Sequence, residues 1–179
     1  MKSRQFDGLK VLIEEMLEAE GYDIFPVQGL NKYAEAYLPK RPKLVFVDAG
    51  QQLDQPLRYK FTVAEELAHI LIGRRIFPSK TRSDVQEIFK KMNDEDYADS
   101  ERNAKYLACC LLLPKQTFLK RFALHQERLG TDIVNPAEIA MRVIRALHSD
   151  FDVSKETIAL RAKHLGLISE ECLLGIQNS

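Results

Sequence analysis

Apolar positions along this chain change their period twice. Phe6, Leu9, Leu12, Ile13, Met16 and Leu17 recur at three- and four-residue steps, the spacing of one helix face, and Gly21 follows as a helix stop. From Asp23 the pattern shortens. Segments 23–27, 32–38 and 44–48 are partly alternating and rich in β-branched or aromatic residues, which predicts strands. Pro39-Lys40-Arg41-Pro42 between the last two predicts a hairpin connection. Beyond Thr62 helical spacing returns and predicts helices near 62–73, 83–92, 100–113, 115–128, 136–148 and 154–165. Ser100 and Ser154 fit N-caps, Pro114 and Pro136 fit helix starts, and Gly130 and Gly166 fit helix stops. The polar stretch 74–99 predicts a surface loop with one short helix. The fold class expected from this order is α+β, with a small antiparallel sheet, an N-terminal helix and several further helices.

Composition narrows the class without naming a function. The chain has 179 residues, 45% of them hydrophobic and 29% charged, which suits a globular domain. Lys plus Arg equals Asp plus Glu at 26 each, so no overall field draws the chain to nucleic acid or to an anionic membrane. The N-terminal segment MKSRQFDGLK lacks the apolar run of a signal peptide, and no stretch is apolar enough to span a bilayer, so a cytoplasmic location without membrane association is expected. Three Cys are present, and two of them, Cys109 and Cys110, are adjacent in the apolar run LACCLLLP. Buried free thiols are expected there, and not a disulfide framework.

The candidate chemistry lies in Phe61-Thr62-Val63-Ala64-Glu65-Glu66-Leu67-Ala68-His69-Ile70. Zinc peptidase helices carry H-E-x-x-H, in which two His four residues apart ligate one metal and the Glu beside the first is the general base. His69 and Glu66 occupy the second-ligand and base positions, and Glu65 replaces the first His. Residues four apart share a helix face, so Glu65 and His69 point together, with Glu66 about 100° around the axis. Glu101, on the helix expected from residue 100, offers a third carboxylate. His125, His148 and His164 stand at no ligand-like spacing to His69.

Three segments carry a resemblance to the ImmA/IrrE family of metallo-endopeptidases. Leu44-Val45-Phe46-Val47-Asp48 resembles the strand before that family's motif. Tyr59 through Leu71, YKFTVAEELAHIL, resembles R-F-T-x-A-H-E-x-G-H-x-L, and Glu101 through Pro114, ERNAKYLACCLLLP, resembles E-x-x-A-N-x-F-A-x-x-L-L-M-P. A fourth, from Val153-Ser154 through Arg161 to Leu165-Gly166-Leu167, resembles V-S-x…R-L-x-x-L-G-L. The resemblance implies a zincin-like fold, with a metallopeptidase domain over residues 1–130 and a C-terminal helical extension over 131–179 packed on it, or the two as one continuous domain. It places metal ligands on Glu65, His69 and Glu101 and the general base on Glu66. It implies Zn²⁺ as cofactor and, as partner, a protein or peptide such as a helix-turn-helix repressor in mobile-element or stress regulation. Lys105 stands where the family has Asn, Cys110 where an acidic residue is common, and Ala68 where Gly is usual.

Glu65 decides what the resemblance is worth. Carboxylate oxygen binds zinc at a distance similar to imidazole nitrogen, so ligation is feasible. Each added anionic ligand weakens the ion as a Lewis acid, and an oxygen-rich set shifts preference toward Mn²⁺ or Fe²⁺. Three readings stay open at this point: a solvated carboxylate in a site without metal, a centre with weakened or lost hydrolysis, and a working centre. An inactive protein-binding module, or pseudo-peptidase, is the alternative to an enzyme. The C-terminal helices admit a further rival. Their helix-turn-helix outline, with Arg142, Arg145, Lys155, Arg161 and Lys163, is that of a DNA-binding regulator, although Asp150, Asp152 and Glu156 dilute the basic patch and make direct nucleic-acid binding the lesser expectation.

Overall fold

The computed structural model describes residues 6–7, 9–30, 36–38, 43–76, 94–129, 135–170 and 172. The chain divides into two compact units, one of Leu12–Ala108 and one of Met1–Val11 with Cys109–Ser179. Helices and a small sheet make the expected α+β class.

In the unit 12–108, α1 (Ile13–Ala19) leads into β3 (Asp23–Val27) through Gly21, whose φ of +79° is the left-handed conformation that ends a helix at low cost. Then come β4 (Ala36–Tyr37), β5 (Leu44–Asp48), α2 (Ala49–Asp54) and the long α3 (Pro56–Ile76). The sheet order is β3-β5-β4. β5 runs antiparallel to β4, with Tyr37 opposite Phe46, but parallel to β3, with Phe25 opposite Phe46. The antiparallel sheet expected from sequence is therefore a mixed one. The short antiparallel pair is local, whereas the parallel pair brings together strands separated by the whole of β4, a register that turn residues do not encode. Residues 31–35 and 39–42, which held most of the expected second strand and its Pro-containing connection, lie outside the described residues.

Val45 and Val47 of β5 are fully buried in the core, and the neighbouring α3 buries Val63, Ala64, Leu67, Ala68 and Ile70. Asp48, at the end of β5, is 1% exposed, and its carboxylate accepts from the Gln51 backbone N–H at 3.0 Å as the N-cap of α2. Tyr59 is buried where α3 passes α1, and burial followed by a hydrogen bond to the Glu14 carboxylate pushes its phenol above the ordinary value.

Several boundaries differ from the sequence reading. α2 has no counterpart in it. α3 begins at Pro56 and not near 62 and runs to Ile76, and the helix from Pro136 runs to Phe151 and not 148. Two more differences concern the N-terminal segment and the helix that carries Glu101. The first is at the N-terminus, where β1 (Phe6–Asp7) pairs antiparallel with β2 (Lys10–Val11) and the helix begins only at Ile13. Asp7 pairs with Lys10, so two residues connect the strands, and Gly8 as the first of them is the hairpin signal that overrides the helical spacing of Phe6 and Leu9. The second is α4 (Asp94–Leu112), which is already helical six residues before Ser100, so Ser100 is internal and Glu101 is not in the first turn. The expected helix over 83–92 lies outside the described residues.

The other unit contains α5 (Lys115–Arg128), α6 (Pro136–Phe151) and α7 (Lys155–His164). Phe118, Phe122 and Phe151 stack at its centre, with ring centroids 5.9–6.3 Å apart. Val143, Ile144, Leu147, Ile158 and Ala162 complete the core. Pro136 opens α6 behind an Asn135 cap, Ser154 caps α7, and Gly166 follows it with a φ of +69°. Gly130 lies outside the described residues.

Candidate metal centre

α3 is buried on most of its circumference, and Glu65, Glu66 and His69 form its half-buried polar side. The helical period brings Glu65 beneath His69. From α4, Glu101 reaches the same place. His69 Nε2 and Glu101 Oε1 lie 3.4 Å apart, and one ligand atom from each of Glu65, His69 and Glu101 falls within 4.8 Å of the others. The structure thus brings together the three residues that the resemblance marked as ligands. Glu66 is outside that trio, one position on along α3 and half-buried.

The donor set fits a divalent cation. Ligand atoms on a tetrahedral zinc are about 3.3 Å apart when metal–ligand bonds are about 2.0–2.1 Å, close to the separation of His69 and Glu101. Two carboxylates balance a double positive charge, and the imidazole supplies a neutral nitrogen. Burial holds His69 below its ordinary pKa, which favours the unprotonated ring that a metal needs; the Glu101 carboxylate opposes this shift and the Lys105 ammonium reinforces it. The Glu65 side chain is only 14% exposed, so it is not a solvated surface carboxylate.

Lys105 is the residue that sequence reasoning left without a place in the site. Its Nζ is 4.0 Å from Glu65 Oε1, although the side chain remains 55% exposed. The available signal was its position one turn beyond Glu101 on the same helix.

The remaining candidates lie elsewhere. Cys109 is fully buried as expected, whereas Cys110 is only half-buried and accepts from Arg161 Nη1 at 3.0 Å. His125 Nε2 sits 2.6 Å from Asp150 Oδ2, His148 Nδ1 sits 2.7 Å from the Val153 carbonyl, and His164 is exposed. Arg161 is 4% exposed and donates through Nε to the Leu113 carbonyl at 3.1 Å, which removes it from any cation set facing a phosphate. Arg142 and Lys163 pair with Glu138 and Glu170.

A solved structure of a Mycobacterium tuberculosis transcriptional regulator is similar to this chain, with a TM-score of 0.57 over 89% of its length at 20% identity. This chain spans 42% of that protein. No curated protein gives a significant match. The model of the IrrE N-terminal-like domain, a zinc-dependent peptidase family, matches residues 18–163, a span that holds all three converging side chains and Glu66. The chain belongs to the IrrE N-terminal-like peptidase family.

Proposed function

We propose that this chain is a metallopeptidase-like regulatory domain whose centre of one imidazole and two carboxylates binds a divalent cation with weakened hydrolytic power and acts on a protein partner. The observation that carries the reading is the convergence of Glu65, His69 and Glu101 from two helices within 4.8 Å. A bound cation would supply Lewis acidity toward a scissile carbonyl. Glu66, beside the first ligand position, is the base that takes the proton of the attacking water. Glu65, His69 and Glu101 would hold the ion, and the two carboxylates would weaken its Lewis acidity relative to a two-imidazole centre. The oxygen-rich set also makes Mn²⁺ and Fe²⁺ competitors of Zn²⁺. A helix-turn-helix repressor is the partner that the family resemblance favours. The other reading, a pseudo-peptidase that binds such a partner without cutting it, differs only in the chemical step.

Elemental analysis of protein purified without chelator or metal-affinity resin tests the centre. A substoichiometric divalent metal is expected, and it should be lost in His69→Ala and Glu101→Gln. Equal metal content in wild type and both variants would remove these residues from the centre. Near-stoichiometric zinc that survives mild chelation would overturn the weakening ascribed to Glu65.

A further inference from the structure

Resting on the metal-centre reading above, we infer that Lys105 is a built-in counter-cation that competes with a divalent ion for Glu65 and limits how tightly the centre takes metal. The geometry is direct. Lys105 lies one helical turn beyond Glu101 on α4, and its ammonium reaches to 4.0 Å from the Glu65 carboxylate. Glu65 is itself within 4.8 Å of the His69 and Glu101 ligand atoms. A unit positive charge therefore stands at the edge of the place a doubly charged ion would fill.

The burial of the two partners is unequal. Glu65 is 14% exposed and held by α3, whereas Lys105 is 55% exposed on a flexible stem. An exposed ammonium can leave for solvent at little cost, because an ion pair with one partner in water is worth little. A half-buried carboxylate beside a second carboxylate gains from any cation that approaches it, whether ammonium or metal. Without metal, Lys105 offsets the repulsion between Glu65 and Glu101. When a cation enters, the like charge of Lys105 raises its energy until the side chain swings away. Lys105 thus limits how tightly the centre holds a divalent ion, and it contributes nothing that a ligand contributes.

The test uses the full chain, stripped of metal and titrated calorimetrically with Zn²⁺ and separately with Mn²⁺. The proteins are wild type, Lys105→Gln, Lys105→Arg and the double variant Lys105→Gln/His69→Ala. Lys105→Gln, which keeps length and loses charge, is expected to bind roughly two- to fivefold more tightly than wild type, the scale of an ion pair with one exposed partner. Lys105→Arg should stay close to wild type, which separates charge from shape. The gain should vanish in the double variant. Saturable binding of equal strength in wild type and Lys105→Gln would overturn the inference and leave the centre standing. A gain that persists in the double variant would place the effect outside the centre and overturn it as well. Binding in neither wild type nor Lys105→Gln would overturn the centre itself and this inference with it. Melting of each protein without metal shows that every variant is folded.

Discussion

Four residues separate Glu65 from His69 on α3, and four separate Glu101 from Lys105 on α4. Both intervals place side chains on one face of a helix, a purely local consequence of 3.6 residues per turn, so both pairings are legible in the chain. The approach of Lys105 to Glu65 is not, because it depends on how two helices meet to bring together residues 40 positions apart. The nature of the first ligand is the clearest residue-scale question. In Glu65→His a neutral nitrogen replaces an anionic oxygen, the H-E-x-x-H face is rebuilt, and the attraction that draws Lys105 into the site is removed. Zinc affinity is expected to rise by tenfold or more, roughly the scale seen for changes around metal ligands. Competition against a chelating indicator, with Glu65→His/His69→Ala as control, reads this directly. Equal zinc affinity in wild type and Glu65→His would show that Glu65 does not occupy a ligand position.

Elements were legible where a boundary has local chemistry. α5 and α7 begin and end within a residue of their sequence-based limits, since Pro114, Ser154 and Gly166 each act on the backbone beside them. The N-terminal segment misled because two apolar residues at helical spacing outweighed Gly8, and α4 misled because Ser100 fits a cap but sits inside a longer helix. The cap of α7 offers a quantitative check. Ser154 Oγ accepts from the Thr157 N–H at 3.2 Å and lies 3.1 Å from the Thr157 hydroxyl. It satisfies one of the four amide donors that a helix start leaves unpaired. Ser154→Ala is expected to cost about 1 kcal/mol, and so to lower the melting temperature by roughly 2–4 °C in a chain of this size. Ser154→Asp, which retains an acceptor, should recover most of that loss in the same thermal melts. An unchanged melting temperature in Ser154→Ala would remove the cap from the stability of α7.

At the scale of the whole molecule, the two features hardest to read from sequence are both long-range. One is the parallel register of β3 on β5, which skips β4. The other is a charge cluster between α5 and α6. Asp150 Oδ2 accepts from Arg121 Nε at 2.8 Å and lies 2.7 Å from Arg121 Nη2 and 2.6 Å from His125 Nε2. Asp150, which in the sequence dilutes a basic helical patch, has a side chain only 17% exposed that is claimed by Arg121 and His125. Burial alone would raise its pKa, but the hydrogen bonds from His125 and Arg121 and their charges outweigh it and hold the carboxyl below its ordinary 3.8. A carboxyl with a lowered folded-state pKa binds fewer protons folded than unfolded. Its stabilisation is therefore complete above the unfolded value and disappears as pH falls through the folded one. Asp150→Asn removes the charge and keeps the shape. Near neutral pH it is expected to destabilise by about 1.5–3 kcal/mol, the range for hydrogen bonds to a charged group. Urea titrations of wild type and Asp150→Asn at a series of pH values check this. The gap between them should hold from neutrality down to the ordinary carboxylate range and close below pH 3.8, as wild-type Asp150 itself takes up a proton. A gap that stays constant through that range would mean that Asp150 holds α5 to α6 by shape and neutral hydrogen bonds, with no contribution from its charge.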